Sequence, residues 1–296
     1  MSAQLIDGKE VAKAVRRDLK PRIAALKERG VTPGLAAVLV GDDPASQTYV
    51  NSKARACEKL GLYSEVIRRP ADLSQASLLA IVEDLNANPR IHGILVQSPL
   101  PLGIDELAVT LAIRPEKDVD GFHPHNVGLL SIGRPQMIAC TPYGIIKLLE
   151  YYDIDTAGKE VVVVGRSNIV GKPVAMLLMQ KQKPGNATVT VAHSRTKDLA
   201  AVTRRAEILI AAIGRPKTIT ADMISKGAVV IDVGVNRVDD ASTEKGYRLV
   251  GDVDFEACRE KASYITPVPG GVGPMTIAML MANTVRAAEL QTADRQ

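Results

Sequence analysis

Tyr49 and Lys53 are the first pair of residues whose types and spacing could do chemistry. They lie four positions apart in the segment YVNSK, so on a helix the aromatic ring and the amine would share one face. A lysine in a pocket that disfavours its charge can carry protons as an acid or a base. Most helical lysines are solvated, and spacing alone favours that simpler interpretation.

Gln97 directly follows a predicted parallel strand, residues 93–96, and precedes the turn SPLP. Ligands of parallel sheets bind at the carboxyl edge, where an amide can donate and accept a hydrogen bond at once. The alternative interpretation is a polar strand end before a rigid turn.

Asp118 and Asp120 form a pair of acids in the segment KDVDG, close to His123 and His125. Paired acids could bind a metal or a polar heterocycle, and an H-x-H pair can ligate zinc. No third ligand is spaced to complete a metal site, so the sequence predicts none.

A glycine loop joins a run of four valines to an apolar helix in VVVVGRSNIVGKPVAMLL, residues 161–178. A strand that turns into a helix N-terminus offers unpaired N–H groups to a phosphate. The loop reads G-x-S-x-x-x-G, with Gly165, Ser167 and Gly171, and is a weaker signal than G-x-G-x-x-G. A purely structural turn is the alternative.

Arg166 lies inside this loop, and Ser194 and Arg195 follow the next predicted strand. The acidic residue that usually binds the ribose there is missing. A cation and a hydroxyl suit a 2′-phosphate, which favours NADP over NAD. The alternative is that the two arginines only solvate the surface.

Alternating helices and strands must position these residues. In the first half, apolar periodicity and turn residues predict helices at about residues 11–26, 46–60 and 75–86 and strands at 35–40, 63–67 and 93–96. In the second half, strands are predicted at residues 161–164, 188–192, 208–211 and 229–233. Such alternation is typical of parallel sheets.

The connections between the two halves are predicted as follows. Residues 114–140 show no sustained period and are interpreted as an ordered crossing, after which Thr141 caps a helix that begins at Pro142. A last helix, at about residues 276–288, is expected to return to the first domain. The predicted fold is therefore α/β with two domains, each a mostly parallel sheet flanked by helices, the second Rossmann-like, with boundaries 1–139 plus 275–296 and 140–274.

Composition excludes several classes of function. A chain of 296 residues suggests two domains. The net charge of +4, with two Phe and no Trp, offers no set of rings for stacking bases, so nucleic acid is not an expected partner. No apolar run approaches the roughly 20 residues of a membrane span, and the N-terminus lacks a signal-peptide core. We expect a cytoplasmic protein with no membrane partner, whose three cysteines, Cys57, Cys140 and Cys258, are reduced and structural.

Five long motifs occur in one characteristic order: YVNSKARACEKLG, QSPLP, KDVDG, VVVVGRSNIVGKP and PVPGGVGPMT. In sequence and spacing the chain resembles the bifunctional methylenetetrahydrofolate dehydrogenase/cyclohydrolase family, from Leu5 to about Ala288. One departure is Ser98, where the family usually has leucine in QLPLP. With Gln97 and the prolines retained, we expect only a local change of the pocket wall.

The resemblance implies two reactions in one cleft: oxidation of 5,10-methylenetetrahydrofolate with NADP, and hydrolysis of the methenyl product to 10-formyltetrahydrofolate. Lys53 would transfer protons in the hydrolysis, and Gln97 would hold its amine and favour the neutral form. Tyr49 would stack on the aminobenzoate ring, and Asp120 would accept hydrogen bonds from the pterin. The same pocket would be lined by Pro267, Gly270 and Gly271.

On the cofactor side the resemblance implies a phosphate loop, a 2′-phosphate site and segments beside the nicotinamide. The phosphate loop would comprise Gly165, Arg166, Ser167 and Gly171. Ser194 would lie at the 2′-phosphate site, and the segments beside the nicotinamide would contain Gly214, Val235 and Thr276. It also implies a homodimer joined through the cofactor domains. Lys53 and Gln97 together argue against a dehydrogenase-only relative, and the length argues against a third, ligase activity.

Two other classes of protein remain as alternatives. Another two-domain NADP dehydrogenase, acting on a small hydroxy acid or on shikimate, would share the second half but would not need YVNSK or PVPGGVGPMT. A non-catalytic nucleotide-sensing or scaffolding protein could keep the Rossmann-like half without the lysine site.

Overall fold

The computed structural model describes residues 2–244 and 246–293. The helices are α1 (Gly8–Glu28), α2 (Pro44–Leu60), α3 (Gln75–Ala87), α4 (Glu106–Ala112), α5 (Pro124–Ser131), α6 (Cys140–Tyr151), α7 (Gly171–Met179), α8 (Leu199–Thr203), α9 (Phe255–Arg259) and α10 (Gly273–Thr292). The strands are β1 (Gln4–Leu5), β2 (Gly34–Val40), β3 (Tyr63–Arg69), β4 (Gly93–Val96), β5 (Glu160–Val164), β6 (Thr188–Ala192), β7 (Ile208–Ala211), β8 (Val229–Asp232), β9 (Asn236–Asp239), β10 (Tyr247–Val250) and β11 (Tyr264–Ile265).

The chain divides into two compact units. Residues 14–140 and 277–296 form one, called the 14–140 unit below, and residues 1–13 and 141–276 form the other, the 141–276 unit. The predicted boundaries differ from this division at the N-terminus, where residues 1–13 group with the second half. The reason is β1, which pairs in parallel with β11.

The 14–140 unit contains a three-stranded parallel sheet in the order β3-β2-β4. The central strand β2 reads GLAAVLV, and all seven residues are buried, as expected of a parallel strand covered on both faces. The three strands confirm the predicted parallel sheet. Helix α2, which follows β2, begins two residues before the predicted start because Asp43 accepts a hydrogen bond from Ser46 N at 2.7 Å and Pro44 occupies the first turn.

The segment predicted as an irregular crossing, residues 114–140, contains more helix than its periodicity indicated. A single 3₁₀ turn at Pro115–Lys117 and α5 are both too short to show a sustained period. His123 caps α5, with Nδ1 accepting a hydrogen bond from His125 N at 3.0 Å. The H-x-H pair therefore has a structural use.

The predicted start of α6 was wrong by two residues. The helix begins at Cys140, so Thr141 lies within its first turn instead of capping it. Its hydroxyl lies 3.2 Å from the hydroxyl of Thr276.

The 141–276 unit contains a six-stranded sheet in the order β1-β11-β8-β7-β5-β6, and every pairing is parallel. The inner strands β5, β7 and β8 are continuous apolar runs, which bury both faces of the sheet. The predicted Rossmann-like half is confirmed in its four main strands. The two-residue strands β1 and β11 and the antiparallel pair β9–β10 were not predicted, since such short or polar segments carry no clear alternation.

Helix α10 extends further than predicted in both directions, and its residues from 277 onward group with the 14–140 unit. Glu289 forms an ion pair with Arg22 at 2.6 Å, and Gln291 Nε2 donates to the carbonyl of His92 at 2.8 Å. The expected return of the last helix to the first domain is thus observed. Within the described residues, no helix combines the length and apolar character that a membrane crossing requires.

Candidate active site

Lys53 and Gln97 meet at the carboxyl edge of the three-stranded sheet. Lys53 lies on α2, which leaves the end of β2, and Gln97 follows the last residue of the neighbouring β4. Lys53 Nζ donates to Gln97 Oε1 at 2.9 Å, and both side chains are half-buried. A pair 44 positions apart in sequence is thus joined by a direct hydrogen bond in the position where parallel sheets bind ligands.

The amide of Gln97 has one defined orientation. Its Nε2 donates to the carbonyl of Ser98 at 2.6 Å, which leaves Oε1 facing the lysine amine. Ser98 contributes only a backbone oxygen, so this contact does not depend on the side chain at position 98. The Ser98 side chain itself is exposed.

Tyr49 lies one turn before Lys53 on α2, and its side chain is 52% exposed. A large aromatic ring that remains half in solvent is available to stack on a flat ligand. The spacing of four residues places it on the face of the helix that carries the lysine.

Asp118 and Asp120 have different environments. Asp118 is buried, and its carboxylate accepts hydrogen bonds from the backbone N–H groups of Gly121, Phe122 and His123 and from Asn126 Nδ2. Four donors satisfy this carboxylate completely, so it holds the turn. No described residue donates a hydrogen bond to the carboxylate of Asp120, which remains available for a ligand.

The backbone brings Asp120 to the edge where Gln97 lies. Asp118 forms a parallel bridge with Ile94 of β4, so the chain from Asp118 to Asp120 runs beside the end of that strand. Burial raises the pKa of the Asp120 carboxyl to about 6, the charge of Lys53 lowers it, and the charge of Asp118 raises it further. Asp120 therefore titrates close to neutrality and interacts electrostatically with the lysine.

Asn283 on α10 stabilises the turn that contains Asp118 and Asp120. Its buried amide donates to the carbonyls of Val119 at 2.7 Å and Ile138 at 2.8 Å. The thiol of Cys140 also contacts the Val119 carbonyl at 3.5 Å, and burial raises its pKa well above the ordinary value. A thiol in that state is structural and unreactive. Asn283 lies inside an apolar helix, so no local pattern indicates its role.

The glycine loop of the 141–276 unit is closely packed on its own backbone. Gly165 has φ +134°, and a Cβ there would overlap the carbonyl oxygen of Ala212; a Cβ on Gly171 would overlap the carbonyl oxygen of Gly165. Ser167 Oγ accepts hydrogen bonds from Val170 N at 3.1 Å and Gly171 N at 3.4 Å. The serine thus takes the first amides of α7, which explains why a second glycine is not needed at this position.

Arg166 and Ser194 both have exposed side chains, on the loops that follow β5 and β6. These strands are direct neighbours in the sheet, so the two loops leave the same edge. A cation and a hydroxyl on adjacent loops at that edge form a set of groups suited to the extra phosphate of a phosphorylated dinucleotide. The residues present therefore fit NADP.

Other predicted cofactor residues also lie in the 141–276 unit. Gly214 follows β7 and has φ +74°. Val235 follows β8 and is 51% exposed, which is unusual for valine and leaves an apolar surface for a ligand. Thr276 lies in the first turn of α10, and its hydroxyl contacts the hydroxyl of Thr141.

The predicted substrate residues Pro267, Gly270 and Gly271 form a tight turn in the 141–276 unit, whereas Tyr49, Lys53, Gln97 and Asp120 belong to the 14–140 unit. Gly271 N donates to the carbonyl of Pro267 at 2.8 Å, and the carbonyl of Gly270 accepts from Gly8 N at 2.9 Å. The turn is therefore held by backbone contacts within its own unit.

Two buried carboxylates, Asp232 and Asp252, were missed by sequence reasoning. Asp252 contacts the segments that contain Gly214 and Val235, and Asp232 contacts the second of these through Gly234. A weak signal is present in each case, since an aspartate lies within two residues of a glycine at or just after a strand end in IDVG and GDVD. Acids in such positions are usually exposed turn residues, so nothing in the local pattern marks them as buried.

Comparison with protein families matches residues 6–120 to the "Tetrahydrofolate dehydrogenase/cyclohydrolase, catalytic domain" and residues 139–292 to the corresponding "NAD(P)-binding domain". The Bifunctional protein FolD of Chloroherpeton thalassium is 58% identical over 288 residues, covering 96% of this chain and 98% of the relative. The crystal structure of the bifunctional enzyme FolD from Campylobacter jejuni has 48% identity and a TM-score of 0.92, covering 98% of this chain and all of that one. The dehydrogenase-cyclohydrolase of Trypanosoma brucei, solved with NADP cofactor and inhibitor, has 42% identity and a TM-score of 0.93, with 99% of each chain covered. The two family models together match most of the chain, and the chain therefore belongs to the tetrahydrofolate dehydrogenase/cyclohydrolase family.

Proposed function

We propose that this protein oxidises 5,10-methylenetetrahydrofolate with NADP and hydrolyses the 5,10-methenyl product to 10-formyltetrahydrofolate. The observation that carries the proposal is the hydrogen bond between Lys53 Nζ and Gln97 Oε1 at 2.9 Å, at the sheet edge that Asp120 also approaches, in a chain of this family. The high identity to bifunctional relatives over 96% of the chain supports both activities.

The hydrolytic step depends on proton transfer at Lys53 Nζ. Water adds to the methenyl carbon and loses one proton, which leaves a hydroxyl group on that carbon. The bond from the carbon to N5 then breaks as the hydroxyl loses its proton and becomes the formyl C=O, and N5 takes a proton while the formyl group stays on N10. The net change consumes one water and releases one proton. Nζ, held by Gln97 Oε1, accepts the proton of the water when it is unprotonated, and the ammonium that results can return a proton to the departing nitrogen.

The other proposed residues bind and orient the ligands. Asp120 accepts hydrogen bonds from the pterin edge, and Tyr49 stacks on the aminobenzoate ring. NADP, when bound, supplies the hydride acceptor. The main role of the chain in the oxidation is therefore to position the cofactor against the folate. The proposed positioning groups on the cofactor and folate sides are Gly165, Ser167, Gly171, Gly214, Val235, Thr276, Pro267, Gly270 and Gly271.

A spectrophotometric assay tests this function directly. Purified protein mixed with 5,10-methylenetetrahydrofolate and NADP is expected to form the absorbing methenyl compound and then to consume it. Another dehydrogenase, or a nucleotide-sensing protein, would leave the absorbance unchanged. The absence of both phases would reject the proposal.

A preference for NADP over NAD is expected from Arg166 and Ser194. Replacing Arg166 with alanine removes a cation from the proposed 2′-phosphate site, and a charge-assisted hydrogen bond contributes about 1.5–3 kcal/mol. The KM for NADP should rise about tenfold or more while the KM for NAD stays unchanged, and Ser194→Ala should act in the same direction. Lys181→Ala, which removes an exposed cation elsewhere in the unit, is the control. Equal efficiency of the wild-type protein with the two cofactors would refute this assignment.

Cytoplasmic location and a homodimer are further parts of the proposal. All three cysteines are free and buried, which suits a reducing compartment. The family resemblance supports a dimer joined through the cofactor-binding units, and sedimentation equilibrium would measure the mass in solution.

A further inference from the structure

Asp252 connects the two segments beside the proposed nicotinamide position. Its Oδ2 accepts hydrogen bonds from Ile213 N at 2.6 Å and Gly214 N at 2.9 Å, and its Oδ1 accepts one from Arg215 N at 3.0 Å. Oδ1 also accepts one from the side-chain amide of Asn236 at 2.9 Å. One fully buried carboxylate thus holds the loop after β7 and the start of β9 together.

Asp232 in turn fixes the backbone that carries Asp252. Its Oδ1 accepts from Asp252 N at 3.0 Å and from Gly234 N at 2.9 Å, and its Oδ2 accepts from Val253 N at 3.0 Å. The fit is close, because a Cβ on Gly251 would overlap Asp232 Oδ2. Burial raises the pKa of Asp232 to about 7, its three backbone hydrogen bonds lower it, and the charge of Asp252 raises it.

Two neighbouring buried carboxylates are costly unless each is fully satisfied by donors. Seven hydrogen bonds to Asp232 and Asp252 supply that compensation. Six of the seven are donated by N–H groups of residues 213–215, 234, 236 and 252. The carboxylates therefore determine the path of the segments that carry Gly214 and Val235. An apolar pair in the same places would leave those amides buried and without acceptors.

We propose that Asp252, held by Asp232, is a positioning residue for NADP: it fixes the loop 213–215 and the segment 234–236 in the conformation that receives the nicotinamide half. This inference rests on the proposed function. It concerns residues that do not touch the cofactor themselves and act through the backbone they hold.

Asp252→Asn tests the proposal, because either orientation of the new amide presents an NH₂ group to two existing donors. We expect the dissociation constant for NADPH, measured by its own fluorescence, to rise about tenfold or more. The KM for NADP should rise by the same factor, and kcat should change less. In the protein without cofactor, hydrogen exchange of the amides of residues 213–215 should accelerate.

Asp254→Asn is the matched control. Asp254 lies two positions away and forms a partly exposed ion pair with Lys217 at 3.2 Å, so its loss removes the same charge from the same segment without removing an acceptor from residues 213–215. It should leave NADPH affinity and the exchange of residues 213–215 at wild-type values. If Asp252→Asn fails to fold, Asn236→Ala removes one of the four donors to Asp252 and should weaken NADPH binding in the same direction.

The outcomes separate this inference from the proposed function. A wild-type protein that binds no NADPH would refute the function. A wild-type protein that binds NADPH, together with Asp252→Asn or Asn236→Ala variants that bind it equally well, would refute the positioning role alone.

Discussion

Lys53→Met is expected to abolish the hydrolysis of 5,10-methenyltetrahydrofolate while oxidation of the methylene compound continues. Methionine keeps the length of the side chain and its packing but has no atom that carries a proton at the position of Nζ. Positioned proton transfer contributes roughly 100- to 10,000-fold to a reaction rate, so the loss should fall within that range. Hydride transfer needs no proton from this lysine, and its rate should fall much less.

Separate assays of the two steps measure this difference. Preformed methenyl compound reports hydrolysis, and NADPH production reports oxidation. Lys59→Met, an exposed lysine in the last turn of the same helix, is the control and should leave both rates unchanged. A Lys53→Met protein that still forms 10-formyltetrahydrofolate at the normal rate would remove Lys53 from the mechanism.

Asp120→Asn is expected to weaken folate binding and to stabilise the fold at the same time. Hydrogen bonds to a charged acceptor contribute about 1.5–3 kcal/mol, so the KM for methylenetetrahydrofolate should rise about tenfold or more. The fold favours the neutral form of this carboxyl, because burial raises its pKa from the ordinary value of 3.8 to about 6. Its contribution to stability is therefore present at low pH and is lost as the pH rises through about 6. Above that pH the variant should have the higher Tm.

The pH dependence of the folate KM and of the Tm provides a second test of Asp120→Asn. In the wild type, the KM for the folate should rise as the pH falls through about 6, because protonation removes the charged acceptor. The variant should lack this transition, and its advantage in Tm should shrink between about pH 6 and pH 4. Lys53, Asp118 and Cys140 are the other titratable groups that interact with this region.

Asp118→Asn serves as the contrasting control. Its carboxylate accepts four hydrogen bonds, so an amide would direct its own N–H groups at existing donors. The free energy of unfolding should fall by about 1–3 kcal/mol, the opposite sign to that of Asp120→Asn. If both variants lose stability equally, the distinction between a structural and a ligand-binding carboxylate is wrong.

Local patterns were sufficient to predict the elements that position the lysine site. Strand β2 is a continuous apolar run that ends at a turn, and α2 begins at a proline beside an acidic cap, so both have strong local signals. The meeting of Lys53 with Gln97 follows from the parallel topology, since the ends of parallel strands share one edge. Their roles came from resemblance, because spacing alone did not distinguish a catalytic from a solvated lysine.

What local patterns missed depends on contacts distant in sequence. Strand β1 exists because two residues near the N-terminus pair with β11, more than 250 positions away. Asp118 and Asp120 are the same type of residue on either side of Val119, and the surrounding backbone decides which of the two carboxylates is satisfied. Asp252 likewise resembles an ordinary turn residue until the loop after β7 folds over it.

The turn that carries Asp120 also has a thermodynamic consequence. Asp118 holds its amides, Asn283 holds its carbonyl at Val119, and the bridge to Ile94 ties it to β4. Ordering a free backbone costs roughly 1–2 kcal/mol of conformational entropy per residue at 25 °C. In the turn from Asp118 to Asp120 this conformational entropy is already lost on folding, before a ligand binds. If Asp120 accepts hydrogen bonds from the pterin as proposed, folate binding should carry little entropic penalty from this segment, and titration calorimetry would measure that entropy.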